Sequence, residues 1–147
     1  MNRVGTRTIR LLLVDDRPAM RTGLRIWLAL EPDLEVVGEA SDGSEAISLT
    51  QALRPDVVLM DIEMPGMNGI SATAALRSVA PHSPVVILTL HDDAATRTRA
   101  REAGAAAFVT KHRMEEILLG EIRRVAMAHK KHTRHDRPVQ RPEGSDA

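Results

Sequence analysis

The chain of 147 residues has no cysteine, no tyrosine, one phenylalanine and one tryptophan. The lack of thiols excludes disulfides, thiol catalysis and thiolate-bound metals, and it is compatible with a reducing cytoplasm. An excess of either charge is also missing. The 20 Lys and Arg balance the 20 Asp and Glu, so bulk electrostatics give no reason to expect nucleic acid or an anionic membrane as the main partner. No apolar stretch is long enough to span a bilayer, and residues 1–10 show no signal-peptide pattern. A soluble, cytoplasmic chain is expected, with a single domain large enough for a genuine core.

What is present is a set of polar residues at the ends of short apolar runs. Asp15 and Asp16 follow Ile9–Val14, Asp61 follows Val57–Met60, Thr89 follows Val85–Leu88, and Lys111 follows Phe108–Thr110. Each run reads as a buried strand, and in an open parallel sheet the carboxyl ends of the strands form the crevice that binds ligands. Three carboxylates, a hydroxyl and an ammonium are therefore expected at one edge. Adjacent aspartates repel one another, and a bound dication relieves that repulsion. Oxygen-only ligands favour a hard ion such as magnesium, with manganese as the alternative.

Between these runs lie helical patterns of about ten to fifteen residues, the alternation of a doubly wound parallel sheet. The spacing predicts a first helix after Asp16-Arg17-Pro18, with Asp16 as its cap and Leu24, Trp27 and Leu28 on its inner face. Further helices are predicted over 42–53, 70–79, 92–103 and 115–128, and strands over 34–40 and 106–110 as well as those above. The sequence Pro65-Gly66-Met67-Asn68-Gly69 is a turn rather than a phosphate-cradling loop, since the Gly-Lys-Ser/Thr ending of the latter is missing. The helix over 92–103 carries Thr96, Arg97 and Arg101 and has almost no apolar stripe, so little transfer free energy fixes it to the sheet. Such a helix is expected to be mobile or covered by a partner.

Four segments in order carry a specific resemblance. They are Leu-Leu-Val-Asp-Asp ending at Asp16, Asp-Val-Val-Leu-Met-Asp-Ile-Glu-Met-Pro-Gly-Met-Asn-Gly from Asp56 to Gly69, Val-Val-Ile-Leu-Thr ending at Thr89, and Ala-Gly-Ala at 103–105 leading to Lys111. Over roughly residues 8–128 the chain resembles a bacterial two-component response-regulator receiver domain. Val36–Gly43 and Leu88–Asp93 further resemble the NarL/LuxR branch. The resemblance implies a flavodoxin-like (βα)5 fold with five parallel strands in the order 2-1-3-4-5.

The same resemblance assigns roles. Asp61 is the phosphoacceptor, a carboxylate nucleophile toward phosphorus. Asp15, Asp16, Asp61 and the backbone carbonyl of Glu63 hold the magnesium, Lys111 pairs with Asp61 and the phosphoryl oxygens, and Thr89 donates a hydrogen bond to the phosphoryl group. Phe108 stands at the aromatic switch position. The implied partners are a histidine kinase or phosphotransfer protein and an unidentified downstream protein, and homodimerisation stays open. A phosphoacceptor signalling domain rather than an enzyme is implied; an aspartate-nucleophile phosphatase is disfavoured, because Arg17 breaks the Asp-x-Asp it needs.

The chain is expected to divide into a flexible lead over 1–7, the receiver over 8–128 and a flexible basic tail over 129–147. Asp136, Glu143 and Asp146 dilute the tail's basicity and no aromatic offers stacking, which argues against nucleic acid. No DNA-binding output domain is expected after the tail. The alternatives are a receiver cut from a NarL/LuxR-type transcription regulator, or a receiver used only as a phosphorylation-independent interaction module.

Overall fold

The computed structural model describes residues 7–136, with side chains as far as His129. Strands and helices alternate as β1 (Ile9–Val14), α1 (Pro18–Leu28), β2 (Leu34–Ala40), α2 (Gly43–Leu53), β3 (Val57–Met60), α3 (Gly69–Val79), β4 (Val85–Thr89), α4 (Ala94–Glu102), β5 (Ala107–Thr110) and α5 (Met114–Asp136). A 3-10 turn over Lys111–Arg113 leads into α5. The strands form one parallel sheet in the order β2-β1-β3-β4-β5, as the sequence implies.

Successive side chains of a strand point to opposite faces, and this splits the core in two. From β1, Leu11 and Leu13 pack with Leu24 and Leu28 of α1 and Leu118, Ile122 and Val125 of α5. Leu12 and Val14 join Ala46 of α2, Ala72 and Leu76 of α3, and Ala100 of α4. Strands covered on both faces need continuous apolar runs, and Leu-Leu-Leu-Val in β1 and Val-Val-Leu-Met in β3 supply them, buried throughout.

Three helices start on side-chain caps. Asp42, Asn68 and Asp93 accept the N–H groups of Glu45, Ser71 and Thr96 at 2.8, 2.9 and 3.0 Å. The aspartates at 42, 92 and 93 thus lie outside the helices expected to contain them. The cap of α1 also differs from expectation: Arg17, not Asp16, is the cap residue, with no side-chain cap bond and Pro18 in the first turn. With Pro18 at the first helical position, Arg17 falls at the cap position, and its N–H donates to the Asp15 carboxylate at 2.9 Å. At the other end, α5 continues past Ala128 to Asp136. Residues 129–136, expected to belong to a flexible tail, are helical; the expected lead over 1–6 and the remainder of the expected tail over 137–147 lie outside the described residues.

Helix α4 buries only Thr96 and Ala100, as its polar sequence foretells. It is held by the Asp93 cap, by Arg77 of α3 donating to the Glu102 carbonyl at 2.9 Å, and by Gly104 at φ +101° closing its end.

Candidate functional site

The carboxyl ends of β1, β3, β4 and β5 each deliver one element of the site. Parallel pairing fixes their heights: the Asp61 N–H donates to the Val14 carbonyl at 2.9 Å, and the Asp15 N–H to Ala40 at 3.1 Å. Asp15, Asp16 and Asp61 then come together, one carboxylate oxygen of each lying within 4.8 Å of the others. Asp15 and Asp61 are buried and Asp16 is exposed.

Lys111, ninety-six residues from Asp15, reaches back from the end of β5. Its Nζ lies 3.0 Å from Asp15 Oδ2 and 3.4 Å from Asp61 Oδ1, with only 7% of the side chain exposed. One ammonium thus bridges two buried carboxylates. Burial drives the Asp61 carboxyl above the usual carboxylate range; Lys111 opposes this, and the neighbouring charge of Asp15 adds to the rise. Asp61 consequently carries its charge in an environment that resists it, and a further cation beside it would lower its energy.

The donor set fits a hard divalent ion. It is oxygen only, it has more carboxylates than Lys111 can neutralise, and Asp16 keeps one side open to water, the pattern magnesium accepts. Asp16, Asp61, Glu63, Thr89 and Lys111 line a cleft of about 740 Å³ together with Arg17, Asn68 and His91. That is room for a tetrahedral anion and its hydration. The Thr89 hydroxyl oxygen, fully buried, accepts the His91 N–H at 3.2 Å, which leaves its own proton to be donated elsewhere.

Phe108 does not line this cleft. It is half-buried on the α4 side of β5, and the Arg97 guanidinium sits over its ring at 4.6 Å from the centroid. Asp15, Asp16, Asp61, Glu63, Thr89 and Lys111 therefore gather at one edge, while the proposed switch residue stands apart from them beneath α4.

Three neighbours of the site escaped the sequence reading. Gly69 is one: a Cβ there would lie 2.0 Å from the Asp61 carbonyl oxygen, so only glycine lets α3 start against the Asp61 backbone, where the Gly69 N–H donates to Ile62 at 2.8 Å. Its place in the Asn-Gly turn was legible, its contact with Asp61 was not. Arg17 is the second, its backbone N–H and Nε meeting Asp15 Oδ1 at 2.9 and 3.5 Å. The third is His91, whose Nε2 lies 2.7 Å from Glu63 Oε2 across the mouth of the cleft.

The family described as the response regulator receiver domain matches residues 11–123. The nitrate/nitrite response regulator protein NarP of Escherichia coli (strain K12) is 40% identical over 114 residues, which cover 78% of this chain and 53% of that protein. Among solved structures, the response regulator domain of Thermotoga maritima CheB superposes with a TM-score of 0.77 at 36% identity, covering 82% of this chain and 98% of that one. A two-component response regulator of the LuxR family from Aurantimonas sp. SI85-9A1 gives 0.79 at 37% identity, covering 82% and 86%. The chain spans about half the length of the curated relatives it matches.

Proposed function

The chain belongs to the response-regulator receiver family, with relatives of the NarL/LuxR type, and from that we propose that Asp61 is its phosphoacceptor in a magnesium-dependent transfer from a histidine kinase or phosphotransfer protein. The observation that carries this reading is the convergence of Asp15, Asp16 and Asp61 on the Lys111 ammonium at the mouth of one cleft. Receivers are signalling domains that bind magnesium at an acidic pocket of this kind.

A carboxylate oxygen of Asp61 attacks the phosphorus; the new P–O bond forms as the P–N bond to the donor imidazole breaks, and the imidazole leaves with the bonding pair and takes a proton from water. Lys111 stays between Asp15 and Asp61 and balances the charge gathered on the transferring oxygens. Thr89 turns its free proton toward one of them. Asp15, Asp16, Asp61 and the Glu63 carbonyl would hold the ion, which would supply charge neutralisation for the carboxylates and the phosphoryl group. The protein contributes chiefly positioning and electrostatics, as phosphoryl transfer demands.

Phosphorylation then shifts an existing equilibrium through Thr89 and Phe108 and changes the surface formed by α4, β5 and α5, which a downstream protein reads. A second reading draws on the relatives: since this chain spans about half of NarP, the same site serves equally as the receiver of a longer NarL/LuxR-type DNA-binding regulator. The length of the natural reading frame separates the two.

The test is intact mass after incubation with magnesium and acetyl phosphate. A single phosphoryl adduct is expected, lost with chelator and lost in Asp61→Asn. A folded wild-type chain that takes no adduct would contradict the assignment and favour a phosphorylation-independent interaction module.

A further inference from the structure

Contacts lead from Thr89, at the edge of the cleft, to Phe108 by way of the β4–α4 loop and Arg97 of α4. Thr89, at the end of β4, accepts the His91 N–H at 3.2 Å. The next residue, Asp92, accepts the Arg97 Nε–H on its Oδ1 at 2.8 Å, and Arg97 Nη2 forms an ion pair with the same oxygen at 2.6 Å. The same guanidinium lies 4.6 Å from the centroid of the Phe108 ring. An aromatic face attracts a cation placed this way, and a planar guanidinium can stack on the ring while its edge bonds a carboxylate.

We propose that the Asp92–Arg97 pair is a latch that holds Phe108 on the α4 side of β5 and is released when Thr89 moves toward a phosphoryl group on Asp61. This deepens the function proposed above and rests on it. In the structure the Thr89 oxygen is tied to the loop that carries Asp92. Movement of Thr89 into the cleft pulls on or breaks the His91 bond, shifts Asp92, and removes the anchor that keeps Arg97 over the ring. Phe108 then loses its attractive cover on one side and is freer to turn inward. Arg97 is thus a positioning residue: it touches neither the phosphoryl group nor the ion, and it sets which ring position is favoured.

The chain has a single phenylalanine, so incorporation of 4-fluorophenylalanine gives one fluorine resonance that reports Phe108 alone. Saturation transfer measures the population of its minor position in the unphosphorylated chain. Removing a stack of this exposure changes the ratio of the two positions about two- to fivefold. Arg97→Ala is expected to raise the minor population by that factor, Asp92→Asn by less, and Arg97→Lys, which keeps a cation over the ring, to stay near wild type. Arg97 is 45% exposed, so an unchanged melting temperature checks that the fold survives. Intact mass with magnesium and acetyl phosphate is read on the same samples. An adduct on Asp61 together with an Arg97→Ala ring population equal to wild type overturns the latch alone. Absence of the adduct overturns the proposed function and the coupling with it.

Discussion

The same strands are built from two different materials. Their floor is apolar and without exposure: Leu13, Leu59 and Ile87 are buried to 2% or less. Their rim is polar and almost as deeply buried, with Asp15, Asp61, Thr89 and Thr110 all at 7% or below. On the floor, burial stabilises each residue through transfer free energy. On the rim burial works against the charged groups, and Lys111, the Arg17 guanidinium and the Arg17 backbone N–H offset part of it. The floor holds the fold, and the rim is held by the fold at some expense to stability.

Lys111→Met tests that contrast most severely. It keeps the aliphatic stem but strands Asp15 and Asp61 without their shared cation, and breaking a buried pair in this way costs about 3–5 kcal/mol. Urea unfolding without magnesium should show this loss, and added magnesium should recover part of it. Leu59→Ala, on the floor, is expected to lose about 2–5 kcal/mol through lost transfer and cavity terms, by the same amount with and without magnesium. A magnesium-dependent loss in Leu59→Ala would erase the distinction between floor and rim.

The smallest effect has the opposite sign. Asp61→Asn should raise the melting temperature of the magnesium-free protein by a few degrees, on the order of 1 kcal/mol, since it removes a charge that burial opposes while leaving the 3.0 Å Lys111–Asp15 bond. The folded carboxyl of Asp61 titrates above its unfolded value. Its protonated form therefore stabilises the fold below the unfolded value, and that contribution disappears as pH rises through the folded one. Hence the gain in Asp61→Asn should be full at neutral pH and vanish in acid, as thermal melts across pH would show.

How legible the chain was follows the same division. The floor is a matter of local pattern, and the apolar runs of β1, β3 and β4 announced both the strands and the polar residues at their ends. The rim's details depend on three-dimensional competition that no local pattern records. Asp16 has the sequence of a cap, but the helix begins at Pro18 and leaves Arg17 in the cap position. Gly69 looks like a turn residue, and its closeness to the Asp61 carbonyl comes from the meeting of α3 with β3. The end of α5 differs for another reason: a shift to basic and polar residues after Ala128 reads as the end of the helix, yet Lys and Arg are good helix formers, and the helix continues to Asp136. For α4 the polarity was read correctly, but the cation over Phe108 joins residues from two separate elements.

Amide hydrogen exchange on the wild type and Asp61→Asn, each with magnesium and acetyl phosphate, tests most directly whether modification of the rim is read out at α4. Changed protection over residues 89–103 and β5 is expected in the wild type alone, with Leu118–Ala126 of α5 unaltered because the floor holds it. Identical exchange in the two proteins, with the wild type shown to be phosphorylated, would contradict a signal passing from Asp61 to that surface.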